Sequence, residues 1–475
     1  MTPKQKRPEE QSIAALLAPD ILDLLETEPS AVAAETEELP PADLADIAER
    51  MPSSQIPVFL AALPVARAAA ALEYLDEARR TELLEAMSPE QAALLIAQMT
   101  PDDRADTLEE IDEEHAEDIV EALPAPERRE TQQLLAFEPD SAGGLMTTEF
   151  VSVPETDTVE GALSKVREMA RGGRREAMNT VYATNAASAL TGVLSLRELL
   201  AAPEGARIVD VAWTEVRSVL PAADREEVAR MTTEYDLVAV PVVDEARRLL
   251  GVVTVDDVID AIQEEQTEDV QKLGGMEALD EPYMQIGIVG MLRKRAGWLS
   301  ILMVSEMFTT SALQYFDVEL AKLPVLTLFI PLVMSSGGNS GSQATSLITR
   351  AIALKEVQLR DWWRVALREF PTGIALGTIL GVIGFVRVVV WQELGLYNYG
   401  KDGVPYLLVA LNTFVALIGI VTFGSMAGSM LPFILRRLGF DPASASAPFV
   451  ATLVDVTGLI IYFTVAILVL GKFMS

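Results

Sequence analysis

The chain has 475 residues, half of them hydrophobic, with 70 Asp+Glu against 37 Lys+Arg, no Cys and one His. Thiolate and imidazole clusters are thereby excluded, and with them the usual zinc, copper and iron–sulfur sites; the ligands in supply are oxygens, which suit magnesium, calcium or manganese. A net charge of −33 argues against nucleic acid as a partner.

The charge is unevenly spread. Residues 287–475 carry 14 Lys+Arg and 10 Asp+Glu, so residues 1–286 hold a net −37. The first residues, MTPKQKRPEEQ, lack an apolar core, so no cleaved signal is expected and the acidic part should stay in the cytosol.

Residues 1–140 read as an all-α, superhelical domain. Helix-opening segments recur, among them LPPADLADIAERM, MSPEQAALLIAQM and MTPDDRADTLEEI. Pro41, Pro64, Pro89, Pro101 and Pro126 fall at or near first turns, where a missing N–H costs nothing. His115, in DEEHAED, reads as a solvated helix position.

EPDSAGGLMTTEF, at 138–150, interrupts the helical pattern. Over 141–265, β-rich runs alternate with helices in two similar halves. LTGVLSLRELLAA (190–202) matches LLGVVTVDDVIDA (249–261), setting Gly192 over Gly251; EFVSV (149–153) matches EVRSV (215–219). The spacing predicts a tandem β-α-β-β-α repeat. Residues 266–286 read as a polar connecting helix broken at Gly274–Gly275.

Five apolar segments follow, at 296–316, 323–349, 370–392, 403–435 and 442–471. Each satisfies the need for roughly 20 apolar residues to cross a bilayer, so an all-α domain of five spans is expected over 287–475. The clusters Arg293–Lys294–Arg295, Arg350/Lys355/Arg360/Arg364 and Arg436–Arg437 all fall on one side, which is then the cytosolic side; the opposite loops carry only Lys322 and Lys401. Five spans leave Ser475 outside the cell.

Two polar features lie inside these apolar segments. MSSGGNSGSQAT (334–345) groups Gly337, Gly338 and Gly341 with Asn339, Ser340, Ser342 and Gln343. The glycines either open the backbone so that oxygens can face a cation, or let helices pack closely. Asp455 is the one charge in the last segment, and a carboxylate in hydrocarbon is a functional-site hypothesis by default. It acts either as a ligand or electrostatic selector for a passing cation, or as a structural acid paired with Arg387 or a backbone donor. Glu306 in the first segment either guards an entrance or snorkels. Gly373, Gly377 and Gly381, and Gly424 with Gly428, read as packing stripes.

In the soluble part, Asp102, Asp103 and Asp106 open one helix. Asp256, Asp257, Asp260, Glu264, Glu265, Glu268 and Asp269 run from the second repeat into the connector. They form either a solvated face or facing acidic surfaces that close when divalent ions screen them.

Taken together, these features resemble the MgtE family of magnesium channels, most closely in GGNSGSQATSLITRA, LPFILRRLGFDPASASAPFVATLVDVTGLIIYF and GVVTVDDVID…EEQTEDVQKLGG. The resemblance implies a helical N domain, paired CBS domains, a connecting plug helix and five spans. It also implies a homodimer in the inner (plasma) membrane whose pore is lined by the second and fifth spans. Asp455 is then the selectivity acid, with Gly338, Asn339, Ala451 and Ser342 shaping the pore. Regulatory magnesium falls to Asp102, Asp103, Asp106, Asp257, Asp260, Glu265, Glu268 and Asp269, and ATP is a further candidate ligand of the CBS pair. Ala447 stands where the family can have Asn, and Ser335 and Ser342 replace a Gly and an Asn that line the pore in some members. No enzyme motif is present; the competing function is a nucleotide-responsive membrane receptor or scaffold without transport.

Overall fold

A computed structural model of the chain describes residues 13–171, 179–203, 205–279, 283–284, 286–400 and 403–474. Lys401 and Ser475, which enter the orientation argument, lie outside the described residues. The chain forms two compact units, Met1–Glu265 and Gln266–Ser475.

The first unit opens with short helices in series: α1 (Ile13–Thr27), α2 (Pro41–Glu49), α3 (Ile56–Ala62), α4 (Val65–Glu73), α5 (Glu77–Glu85), α6 (Pro89–Ile96), α7 (Pro101–Glu109), α8 (Glu113–Ala122) and α9 (Ala125–Leu134). Pro41, Pro89 and Pro101 each take the first helical position, Pro126 the second, and Pro64 precedes α4. The apolar faces pool into one core that includes Leu44, Phe59, Leu72, Leu84 and Ile96. Arg80 is buried in it and paired with Glu110, Nε to Oε2 at 2.8 Å, while Nη1 donates to the Glu73 carbonyl. His115 is not the solvated residue expected. It is half-buried, and its Nε2 lies 3.1 Å from the Leu84 carbonyl oxygen.

The first β-α repeat consists of β1 (Val151–Pro154), α10 (Val159–Arg171), β2 (Thr180–Thr184), β3 (Leu190–Ser195) and α11 (Leu196–Ala201). β1 pairs parallel with β2, and β2 antiparallel with β3. The second consists of α12 (Arg225–Tyr235), β4 (Ala239–Val243), β5 (Leu249–Thr254) and α13 (Val255–Leu273). Its expected leading strand shrinks to one bridge, Val219 to Val242. The internal repeat extends to backbone detail: Gly192 pairs with Ala183 and Gly251 with Val242, and in both hairpins the register shifts at the next residue. At Gly251 the space for a side chain is taken, since a Cβ there would lie 2.7 Å from Met146 Sδ and from the Thr147 carbonyl oxygen.

α13 runs unbroken for 19 residues, out of the second repeat and through the first part of the expected connector. It stops at Gly274–Gly275, where Gly275 takes φ +75°, and 276–279 are irregular. Residues 266–273 of the expected connector are therefore the tail of α13, and 280–282 and 285 lie outside the described residues.

The second unit is dominated by α14 (Ile288–Tyr315), α15 (Ile330–Ala353), α16 (Trp362–Glu393), α17 (Tyr406–Arg437) and α18 (Ala447–Met474). Four of them, α14, α16, α17 and α18, are long and apolar enough to cross a membrane. α15, at 24 residues, is long enough as well, but its Ser, Gly, Asn and Gln lower its apolar character. Its segment also starts later than expected, because Pro324–Phe329 forms a 3-10 turn. Tyr462 of α18 donates to the Leu326 carbonyl in that turn at 2.9 Å, inside a core that also holds Phe329, Val333, Ile420 and Phe463.

Candidate functional site

The glycines of α15 divide between two roles. α15 stays helical through the whole cluster, so its carbonyls are not opened toward a ligand. Gly337 and Gly341 are buried against α17, where Gly424 and Gly428 face them so closely that a Cβ on Gly428 would strike the Gly341 carbonyl. Small residues let helix backbones approach in this way, and Ser340 and Ser425 hydroxyls meet at 2.9 Å in the same seam. Gly373, Gly377 and Gly381 of α16 seat against Thr422, Ile418 and Phe414 of α17 in like manner.

Gly338 faces α18 instead. A Cβ there would sit 3.4 Å from Ala451 Cβ, an ordinary contact. Gly458 lies against Met334, Gly337 against Val454 and Gly341 against Val450, and the Ser342 hydroxyl donates to the Ala447 carbonyl at 3.2 Å. α15 and α18 thus run antiparallel, and Asp455 comes level with the Ser335–Gly338 turn. Ser335, Asn339 and Gln343 stay exposed at four-residue spacing beside that line, with Asn339 Nδ2 3.4 Å from Ser335 Oγ. Asp455 is only partly buried, and Glu306 of α14 is near enough for the two charges to interact. Arg387 stacks over Trp391 of its own helix, 5.3 Å from the ring centre.

The first unit gathers four of the expected regulatory acids. The Thr100 hydroxyl donates to Asp103 at 2.8 Å, and the Thr254 hydroxyl donates to Asp257 at 2.5 Å, the same Thr-x-x-Asp arrangement at the start of α7 and of α13. Asp102 is 4% exposed, and among the described residues its Oδ1 has no hydrogen-bond partner. Burial, with the charge of Asp103 adding to it, pushes the Asp102 carboxyl up to about 7. Burial and then Asp102 raise Asp106. Burial and then Asp102 also raise Asp257, with Asp256 and Asp103 contributing less. Loss of hydration and like charges both disfavour the ionised form. Among the described residues no three Asp, Glu or His side chains converge into a ready-made metal site. An oxygen-only donor set with an orphaned buried carboxylate oxygen nevertheless suits a hard divalent cation.

The remaining acids are placed differently. Glu265 and Glu264 each lie 3.1 Å from the Arg225 guanidinium, which also reaches Asp140 at 2.7 Å. Glu268 lies 2.5 Å from Lys272 Nζ, and Asp260 and Asp269 are half-buried along α13. The Thr-x-x-Asp spacing is readable in the sequence; the partners of Arg225 and Ser425, and the pairing of Lys272 with Asp441, are not, because those residues are distant along the chain.

The family model of divalent cation transporters, MgtE, matches residues 330–465. That of the MgtE intracellular N domain matches 39–140, and that of the CBS domain matches 208–264, the second repeat. A magnesium transporter MgtE of Thermus thermophilus is 43% identical over 343 residues, covering 72% of this chain and 73% of the relative. One from Bacillus subtilis is 34% identical over 345 residues, covering 73% of each. The crystal structure of the soluble part of a magnesium transporter matches 53% of this chain and 99% of its own, with 29% identity and a TM-score of 0.50.

Proposed function

Because the chain belongs to the MgtE family of divalent cation transporters, we propose that it is a magnesium-selective channel of the inner (plasma) membrane. In this reading it works as a homodimer, keeps residues 1–286 in the cytosol, and closes when cytosolic magnesium binds the acidic N and CBS domains. The observation that carries the reading is the antiparallel register of α15 and α18, with Gly458 against Met334, Gly337 against Val454 and Gly338 against Ala451, so that Asp455 falls near the level of the Ser335–Gly338 turn.

Magnesium sheds water reluctantly and usually keeps several waters while one or two carboxylates hold it. Two copies of Asp455 about a dimer axis supply two carboxylates. Asn339, Ser335 and Ser342 supply oxygens for the retained waters, and Gly338 with Ala451 keeps the passage free of bulk. The lipid bilayer tolerates such groups only where they face protein or water. The basic clusters next to α14, α15 and α17 orient the domain with those ends inward. Inward movement of a divalent ion gains about 4.6 kcal/mol per 100 mV, so an ungated pore overloads the cell. The crowded carboxylates of Asp102, Asp103, Asp106 and Asp257 are the sensor: a bound cation relieves their repulsion and draws the N and CBS domains together. ATP enters only as a candidate ligand of the CBS pair, tested by adding it to the same flux assay, and no catalytic step is assigned.

Asp455→Asn keeps shape and removes charge. Reconstituted in liposomes, the folded variant is expected to lose most magnesium flux or its discrimination against calcium. Normal, selective flux from this variant would sink the reading.

A further inference from the structure

We propose that Lys272 couples magnesium sensing to the pore helix α18, by passing its ionic bond from Glu268 to Asp441 when a divalent cation takes the Glu268 carboxylate. The proposal rests on the gating reading above.

Lys272 lies in the last turn of α13, the helix that leaves the second CBS repeat. Its ammonium is shared by two carboxylates, Glu268 one turn back at 2.5 Å and Asp441 at 2.6 Å. Asp441 is not a loosely tethered acid. Its other oxygen accepts from the Ala443 backbone N–H at 2.8 Å, which fixes it at the head of the Pro442–Ser444 turn leading into α18. Next to it, Trp298 Nε1 donates to Ser446 Oγ at 3.1 Å, and the Gly275 turn fits against both Trp298 and Pro448. All three charged side chains are at least partly shielded, with 25% exposure at Lys272, 28% at Glu268 and 35% at Asp441. Burial works against the charge on Lys272, yet the hydrogen bonds it donates to Asp441 and Glu268 prevail and hold it protonated.

One ammonium between two acids is a divided bond. Glu268 is among the acids assigned to regulatory magnesium. A divalent cation that takes the Glu268 carboxylate removes one partner and repels the ammonium, leaving Asp441 as its anion. Cation binding on α13 is thereby converted into a firmer grip on the entry to α18. When the cation leaves, Glu268 competes again and the grip loosens.

The test uses the full chain in proteoliposomes, with magnesium as the probe. Lys272→Met and Asp441→Asn should each need at least tenfold more magnesium to close, while magnesium still protects the soluble half from protease as in the wild type. Lys272→Arg should close normally, and the exchange Lys272→Asp with Asp441→Lys should recover closure that either single reversal loses. Closure of the single variants at the wild-type concentration overturns the proposal, as does loss of protease protection in step with closure. A wild-type channel indifferent to magnesium overturns the gating reading itself, and this coupling with it.

Discussion

Asp102, at the start of α7, and Asp257, at the start of α13, repel one another across the meeting of the helical domain and the second CBS repeat. A carboxyl whose folded-state pKa lies above its unfolded value supports the fold while protonated, and that support is lost as pH rises from the unfolded value to the folded one. For Asp102 the window runs from the model-peptide value near 4 up to about 7. Asp102→Asn should therefore stabilise the soluble half at pH 8 and change little at pH 4, by up to roughly 4 kcal/mol if the whole shift is recovered. Thermal unfolding followed at the two pH values checks this, and a variant equally stabilised at both would refute the charge argument.

Replacing Asp257, Asp260, Glu265 and Glu268 by their amides should leave the channel conducting at magnesium levels that close the wild type. It should also abolish magnesium protection of the soluble half from protease. Patch recording and limited proteolysis on the same preparation read the two effects. Closure at the wild-type concentration would reduce these acids to a solvated face.

The glycines of α15 should separate into packing and passage. Gly341→Val forces a branched side chain onto the Gly424 backbone and Val450 and should cost about 1–3 kcal/mol or more, seen as a lower unfolding temperature in detergent. Gly338→Ala fits beside Ala451 and should leave that temperature unchanged while reducing flux. Equal thermal penalties for the two would remove the distinction.

Arg225 holds Asp140, Glu264 and Glu265 together from a side chain only 12% exposed. Arg225→Met should cost about 1–2 kcal/mol without magnesium, since lost charged hydrogen bonds are of that order. Added magnesium should restore part of the loss by taking over the same carboxylates. A melting-temperature series in magnesium measures both parts, and absence of any greater response than in the wild type would contradict it.

A reporter fused after Ser475 should be active only in its extracytoplasmic form. Cytosolic activity would mean an even number of crossings, the outcome expected if α15 does not span.

What the sequence revealed, and what it concealed, follows the range of the interactions. The repeat was legible because Gly192 and Gly251 answer the same local need in two hairpins. The start of α7 was legible because proline and acids mark a first turn. The role of Gly337 and Gly341 was not, since a run of Gly, Ser and Asn reads alike for an open backbone and a tight seam; only Gly424 and Gly428, one helix away, decide it. The polar face of α15 likewise hides its length from a hydropathy average. Lys272 pairs with Glu268 at helical spacing that any reader could find, but Asp441 is brought to it by the fold.

The unbroken α13 has a mechanical consequence. Nineteen residues of helix make a rigid arm about 28 Å long. A tilt of about 5° at its root swings the tip, where Lys272 and Leu273 sit, by roughly 2.5 Å, close to the width of a water molecule. Had the connector been a separate helix joined by a flexible hinge, a small rotation in the CBS domain would have dissipated at the joint. If the gating proposed above holds, a helix with no glycine before Gly274 would carry a small tilt at its root to Lys272 as a larger displacement.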